Sequence, residues 1–132
     1  MRAHGSMHAV LVVEDEPILR LDIAETFLAA GFRAFEAGSA EEAIDILERH
    51  PEIRAVFTDI EMPGTMDGIQ LAHVIRKRWP PTILVVSSGH SFPASYALPS
   101  KATFLAKPYS DGALANAVQS ISGQLGDSAQ AK

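Results

Sequence analysis

Four short stretches carry side chains whose chemistry exceeds packing: Glu14-Asp15, Asp59, Ser87-Ser88 and Lys107. Each stands at the end of a short apolar run. Three carboxylates gathered at one place repel one another, and some would stay protonated without a counter-ion. A hard divalent cation resolves this, and an oxygen-only ligand set suits Mg2+. Such an ion keeps several waters and shares phosphate oxygens. Lys107 offers a mobile point charge suited to phosphate. The Ser87 hydroxyl can donate to a phosphate oxygen. The set is suited to a phosphoryl group held between Mg2+ and Lys107, with Asp59 the best nucleophile, able to accept it as an aspartyl phosphate. The protein would contribute positioning and charge neutralisation.

A parallel sheet is the element that brings these residues together. Ala9 to Val13 (AVLVV) is a continuous apolar run, as expected of a strand buried on both faces. Pro17 suits a first helical turn. Leu21, Ala24 and Leu28 follow at helical spacing, and Gly31 supplies the stop. Arg33 to Glu36 is a weak second strand. Ser39 and Glu42 form a capping box for a helix with Ala43, Ile44 and Leu47 inward. Ala55 to Thr58 is a third strand, and Gly68 to Arg78 a helix with Leu71, Val74 and Ile75 inward. Thr82 to Val86 and Thr103 to Ala106 are the last strands. Ser110 caps a final helix with Leu114, Ala117, Val118 and Ile121 on one face. Between Gly89 and Lys101, two prolines and three serines stand where a further crossover helix belongs. One turn at best, around Pro93 to Leu98, is expected there. Five strands with helical crossovers imply an α/β fold, a doubly wound parallel sheet covered on both faces. Ligands of such sheets bind beyond the carboxyl ends of the strands, where the four stretches fall.

The composition agrees with this and excludes much else. The 132 residues make one domain, with 47% apolar and 20% charged residues. The net charge of −5 lacks the basic footprint of a nucleic-acid or anionic-membrane binder. No cysteine is present, which removes disulfides, Cys-ligated zinc and a thiol nucleophile. No apolar stretch approaches 18 residues, and Met1 to His8 lacks the apolar core of a signal peptide. A cytoplasmic location follows by default. Gly5-Ser6-Met7 reads like a cloning junction, so residues 1–7 are set apart as a tag or disordered start. Residues 8–123 form the domain, and 124–132 are expected to be a flexible tail. His4, His8, His50, His73 and His90 are scattered, with no pair at ligand spacing.

The sequence resembles a response-regulator receiver domain of bacterial two-component signalling. The matching pieces are Val12-Val13-Glu14-Asp15-Glu16, Asp59-Ile60-Glu61-Met62-Pro63 with Met66-Asp67-Gly68, Val85-Val86-Ser87-Ser88-Gly89, and Phe104-Leu105-Ala106-Lys107-Pro108. They stand in family order over about residues 8 to 123. The resemblance implies the flavodoxin-like strand order 2-1-3-4-5. It makes Asp59 the phosphoacceptor, and Asp15, Asp59 and the Glu61 backbone carbonyl the Mg2+ ligands. Glu14, in place of the commoner aspartate, would act through metal-bound water. Ser87, with Ser88 beside it, falls at the phosphate-binding and switch position, Lys107 is the phosphate-binding lysine, and Phe104 is the aromatic switch residue. The Lys107–Pro108 bond would be cis, which an X-Pro bond tolerates. Thr65 looks like one extra residue in the loop over the phosphoacceptor. The short, proline-broken stretch from Ser87 to Phe104 resembles that of single-domain receivers and receivers of hybrid histidine kinases, and the usual symmetric dimer is not expected.

The implied partner is a histidine kinase or histidine phosphotransfer protein, which supplies the phosphodonor histidine. Output would pass by contact with a downstream protein that the sequence does not identify. Two other readings compete. A small Mg2+-dependent aspartyl phosphatase of the haloacid dehalogenase type also uses Asp, Ser or Thr, and Lys around phosphate. It places its nucleophile after the first strand, however, and here Asp59 follows the third. A phosphorylation-independent interaction module would not require Asp15, Asp59, Ser87 and Lys107 together. Taken singly, Glu14-Asp15 reads as acids at a helix N-terminus, Ser87 as a strand-end serine bonded to backbone, and Phe104 as plain core. Their combination favours the phosphoacceptor.

Overall fold

A computed structural model describes residues 8–89 and 97–130, with the side chains of 8–89 and 97–126. The elements run β1 (Ala9–Val13), α1 (Pro17–Ala29), β2 (Arg33–Ala37), α2 (Ala40–Arg49), β3 (Ile53–Asp59), α3 (Gly68–Arg78), β4 (Ile83–Ser88), β5 (Ala102–Ala106) and α4 (Asp111–Gln130). The five strands form one sheet in the order β2-β1-β3-β4-β5, all pairs parallel. The doubly wound sheet and its order are as expected. The expected broken crossover helix falls largely on residues 90–96, outside the described residues.

Alternation along the strands divides the core. Leu11, Val13, Val56, Leu84 and Val86 face α2 and α3, packing with Ala43, Leu47, Leu71 and Ile75. Val10, Val12, Phe57 and Val85 face α1 and α4, packing with Phe27, Leu114, Val118 and Ile121. Each large side chain so buried contributes about 1.5–3 kcal/mol.

Local chemistry sets the element ends. Gly31, at φ 96, closes α1 in a conformation that costs glycine least. The Gly31 amide donates to the Leu28 carbonyl and the Phe32 amide to that of Phe27. The Phe27 and Phe32 rings meet edge-on at 5.3 Å, which completes the apolar contact of such a cap. The Ser39 hydroxyl accepts from the Glu42 amide, but the Glu42 carboxylate accepts from Gly38 rather than from Ser39. A reciprocal capping box does form on α3, where Asp67 and Gln70 accept each other's amide hydrogens.

Two further expectations need correction. The inward face of α1 is Ile23, Ala24 and Phe27, whereas Leu21 and Leu28 are half exposed. The helix is apolar around most of its circumference, so spacing alone does not select a face. The final helix also runs past Gly123 to Gln130 instead of giving way to a flexible tail. Leu125 explains the extension, because it is buried against the same core as Ile121 one turn earlier.

Candidate functional site

In a parallel sheet every strand ends at the same edge. The register sets Asp59 directly beside Ser87, and Ser88 beside Ala106. The ladder continues past the strands. The Ile60 amide donates to the Ser87 carbonyl at 2.8 Å, and the Lys107 amide to the Ser88 carbonyl at 2.8 Å. On the other side the Glu14 amide donates to the Ala37 carbonyl at 3.0 Å. Glu14, Asp59 and Lys107 thus stand on hydrogen-bonded backbone at one rim.

Carboxylate oxygens of Glu14, Asp15 and Asp59 all lie within 4.8 Å of one another. Asp15 is exposed, while Glu14 and Asp59 are only 3% and 4% exposed. Lys107 Nζ reaches both buried acids, at 3.3 Å from Glu14 Oε1 and 3.3 Å from Asp59 Oδ2. Glu14 Oε2 accepts from the Glu16 amide, and the Glu14 carbonyl accepts from Arg20 at 2.9 Å. These groups border a cleft of about 210 Å³, together with Glu61 and Gly89.

One lysine does not settle this much negative charge. Burial, with Asp59 adding repulsion, pushes the Glu14 carboxyl up to about 6. Burial also raises Asp59, against the opposing pull of Lys107 and the Glu61 amide. At Lys107, burial disfavours the charge, but Asp59 and Glu14 outweigh it and hold the ammonium above its ordinary range. The Asp59 Oδ1 and Ser87 Oγ atoms are buried without a hydrogen-bond partner, and Ser87 is only 1% exposed. Unsatisfied buried oxygens of this kind call for a ligand or a functional role. The donors offered are all oxygens and in excess of positive charge, so the residues fit a hard divalent cation.

The other sequence-derived positions fall nearby. Ser88 is buried, and its hydroxyl donates to the Glu61 carboxylate, which also accepts from the Gly89 amide at 3.4 Å. Phe104 is half-buried against the α2–α3 side of the core. The Lys107–Pro108 peptide bond is cis. Thr65 donates to Glu41 Oε2 at 2.6 Å, tying the loop after β3 to α2. His73 Nε2 lies 2.7 Å from the Ala97 carbonyl oxygen, and His50 Nδ1 lies 3.1 Å from Glu52, so neither is directed at the site. His90 lies outside the described residues.

Sequence reasoning missed four contributors. Arg20 props the Glu14 backbone and pairs with Glu36 at 3.1 Å. The Glu61 side chain, as distinct from its carbonyl, is tied to β4. Tyr109 packs edge-on to Phe57 at 6.3 Å with its hydroxyl buried, which pushes the phenol above its ordinary range. Gly68 begins α3 so close to β3 that a Cβ there would lie 1.9 Å from the Asp59 carbonyl oxygen. The Asp67-Gly68 pair at a helix start was the available signal for that approach.

The profile of the response regulator receiver domain matches residues 10–119. The chain belongs to this family. The response regulator protein FleR of Pseudomonas aeruginosa is 38% identical over 112 residues, 83% of this chain and 23% of FleR. The sensor kinase CckA of Brucella abortus is 34% identical over 116 residues, 85% of this chain and 12% of that kinase. This receiver domain therefore spans less than a quarter of either relative. Among solved structures, the receiver domain of the hybrid histidine kinase CckA matches with a TM-score of 0.72 and 31% identity, covering 85% of this chain and 96% of that one. The receiver family acts in two-component signalling rather than as classical enzymes, and typically binds Mg2+. Among the described residues, no helix is long and apolar enough to cross a membrane.

Proposed function

We propose that this receiver takes a phosphoryl group from a partner's phosphohistidine onto Asp59, with Mg2+, and signals by protein contact in the cytoplasm. The observation that carries the reading is the pairing of Asp59 with Lys107 at 3.3 Å beside the Glu14–Asp15–Asp59 carboxylate cluster. The phosphorus–nitrogen bond of the donor histidine breaks as a bond to an Asp59 oxygen forms. The imidazole leaves with its electron pair and takes a proton.

Asp59 is held on the β3–β4 ladder opposite Ser87, one residue past the last β1 pair at Thr58, so its carboxylate needs little reorientation. Lys107 would shift from the carboxylates toward the phosphoryl oxygens. The Ser87 hydroxyl, already without a partner, would donate to one of them. Asp15, Asp59 and the Glu61 carbonyl would hold Mg2+, with Glu14 acting through a water. The ion, when bound, neutralises the charge shared by the acids and the phosphoryl oxygens. The acyl phosphate would then bias Ser87 and Phe104 between two arrangements.

The test is intact mass after incubation with Mg2+ and a small-molecule phosphodonor. The wild type is expected to gain a single phosphoryl increment, lost with chelator, and Asp59→Asn to gain none while keeping its fold. Equal uptake by Asp59→Asn would overturn the assignment. No uptake by a folded wild type, from either a small donor or a phosphohistidine protein, would favour the phosphorylation-independent module.

A further inference from the structure

We propose that Ser88 is a positioning residue for the Mg2+ site, acting through the Glu61 side chain. This rests on the phosphoacceptor reading above, in which the Glu61 backbone contributes to the metal site. Glu61 lies in the loop that leaves β3, where no strand pairing fixes it. Its neighbour Ile60 is fixed, because the Ile60 amide donates to the Ser87 carbonyl and the Ile60 carbonyl accepts from Gly68 at 3.0 Å. Beyond Ile60, the Glu61 amide favours the Asp59 charge, and the hydrogen bonds that join residue 61 to the end of β4 are made by its side chain. The Glu61 carboxylate reaches across to β4, accepting from the Ser88 hydroxyl on one oxygen and the Gly89 amide on the other.

Ser88 is suited to that task. It is 1% exposed, in the last position of β4, and its own carbonyl is held by the Lys107 amide. The hydroxyl therefore projects from backbone that cannot drift. A hydroxyl-to-carboxylate bond is charge-assisted, stronger and shorter than a neutral one. The consequence is that Glu61 is held at both ends, by Ile60 through the chain and by Ser88 through the side chain. Its amide also favours the Asp59 charge, so the same clamp acts on both the expected carbonyl ligand and the phosphoacceptor. Partners of metal ligands that fix orientation in this way commonly govern affinity. The Ser88 hydroxyl is thereby given to Glu61, whereas the neighbouring Ser87 hydroxyl remains available for the phosphoryl group.

The experiment is calorimetric titration of MgCl2 into the wild type, Ser88→Ala, Glu61→Ala and the double variant, each first checked by thermal melting. Ser88→Ala should weaken Mg2+ binding by about tenfold or more. Glu61→Ala keeps its carbonyl but loses the clamp and should also bind more weakly. If Ser88 acts through Glu61, adding Ser88→Ala to Glu61→Ala should cost nothing further, a non-additivity that generalised loosening would not produce. Unchanged affinity in Ser88→Ala, or full additivity in the double variant, would overturn the proposal while leaving the phosphoacceptor reading intact. A folded wild type that binds no Mg2+ would overturn both. Should Ser88→Ala fail to fold, unchanged affinity in Glu61→Ala, whose side chain lies at the rim, would overturn the proposal from the other partner.

Discussion

Glu14 shows at the residue scale what burying a carboxyl beside Asp59 costs in stability. Its carboxyl is raised from 4.5 to about 6 by burial and by Asp59. Below pH 4.5 the group is protonated in both the folded and unfolded chains and contributes no difference. As pH rises through 6, the folded chain must ionise a carboxyl that the unfolded chain ionises more easily, so the metal-free protein loses roughly 2 kcal/mol. Glu14→Gln should therefore raise the melting temperature of the metal-free protein at pH 7.5 by roughly 5 °C or more. At pH 4.5 and below, the two melting curves should converge. Thermal denaturation in the presence of chelator at both pH values checks this. The side chains with this chemistry were legible in the sequence because their types are rare at the ends of apolar runs. The Ser88–Glu61 bond was not legible, because 27 residues separate the partners and only the folded sheet brings them together.

At the element scale, glycines divide by what surrounds them. A Cβ on Gly68 would meet the Asp59 carbonyl oxygen at 1.9 Å and Ile60 Cα at 2.7 Å, backbone atoms that no rotamer change can move. Gly68→Ala must push α3 away from β3, and should cost about 2–4 kcal/mol in urea unfolding. Gly123, inside α4 with nothing within 4 Å of its Cβ position, gives the contrast. Gly123→Ala should stabilise by about 0.5–1 kcal/mol. These two opposite signs measure how closely α3 is pressed against the strand that carries Asp59. The elements themselves were legible wherever one periodicity dominated, as in β1 with its five apolar residues or α3 with its basic last turn. Legibility failed on α1, where Ile18, Leu21 and Leu28 continue the apolar pattern onto the solvent side. It failed again at Gly123, where burial of Leu125 outweighs the helix-breaking tendency of glycine.

On the scale of the whole molecule, the proposed reaction requires a phosphohistidine partner to approach the carboxyl edge of the sheet. The surface beside the cleft there is not wholly polar. Ile18 is 80% exposed in the first turn of α1, next in sequence to Glu16 and Pro17, and an apolar hollow of about 230 Å³ lies among Leu19, Lys107, Pro108 and Tyr109. Ile18→Asp should slow phosphoryl transfer from a histidine phosphotransfer protein that serves the wild type by about tenfold or more, as for an interface anchor. Uptake from a small-molecule donor should be unaffected, and parallel transfer assays with the two donors check the distinction. Ile60 and Lys107 extend the hydrogen-bond ladder beyond the strand ends. The tips of β3, β4 and β5 are bonded into the central sheet and do not hang from it as separate loops. The rim is thereby tied to the ordered sheet rather than to its loops, so loosening the backbone around Asp59 has to break hydrogen bonds of the sheet itself.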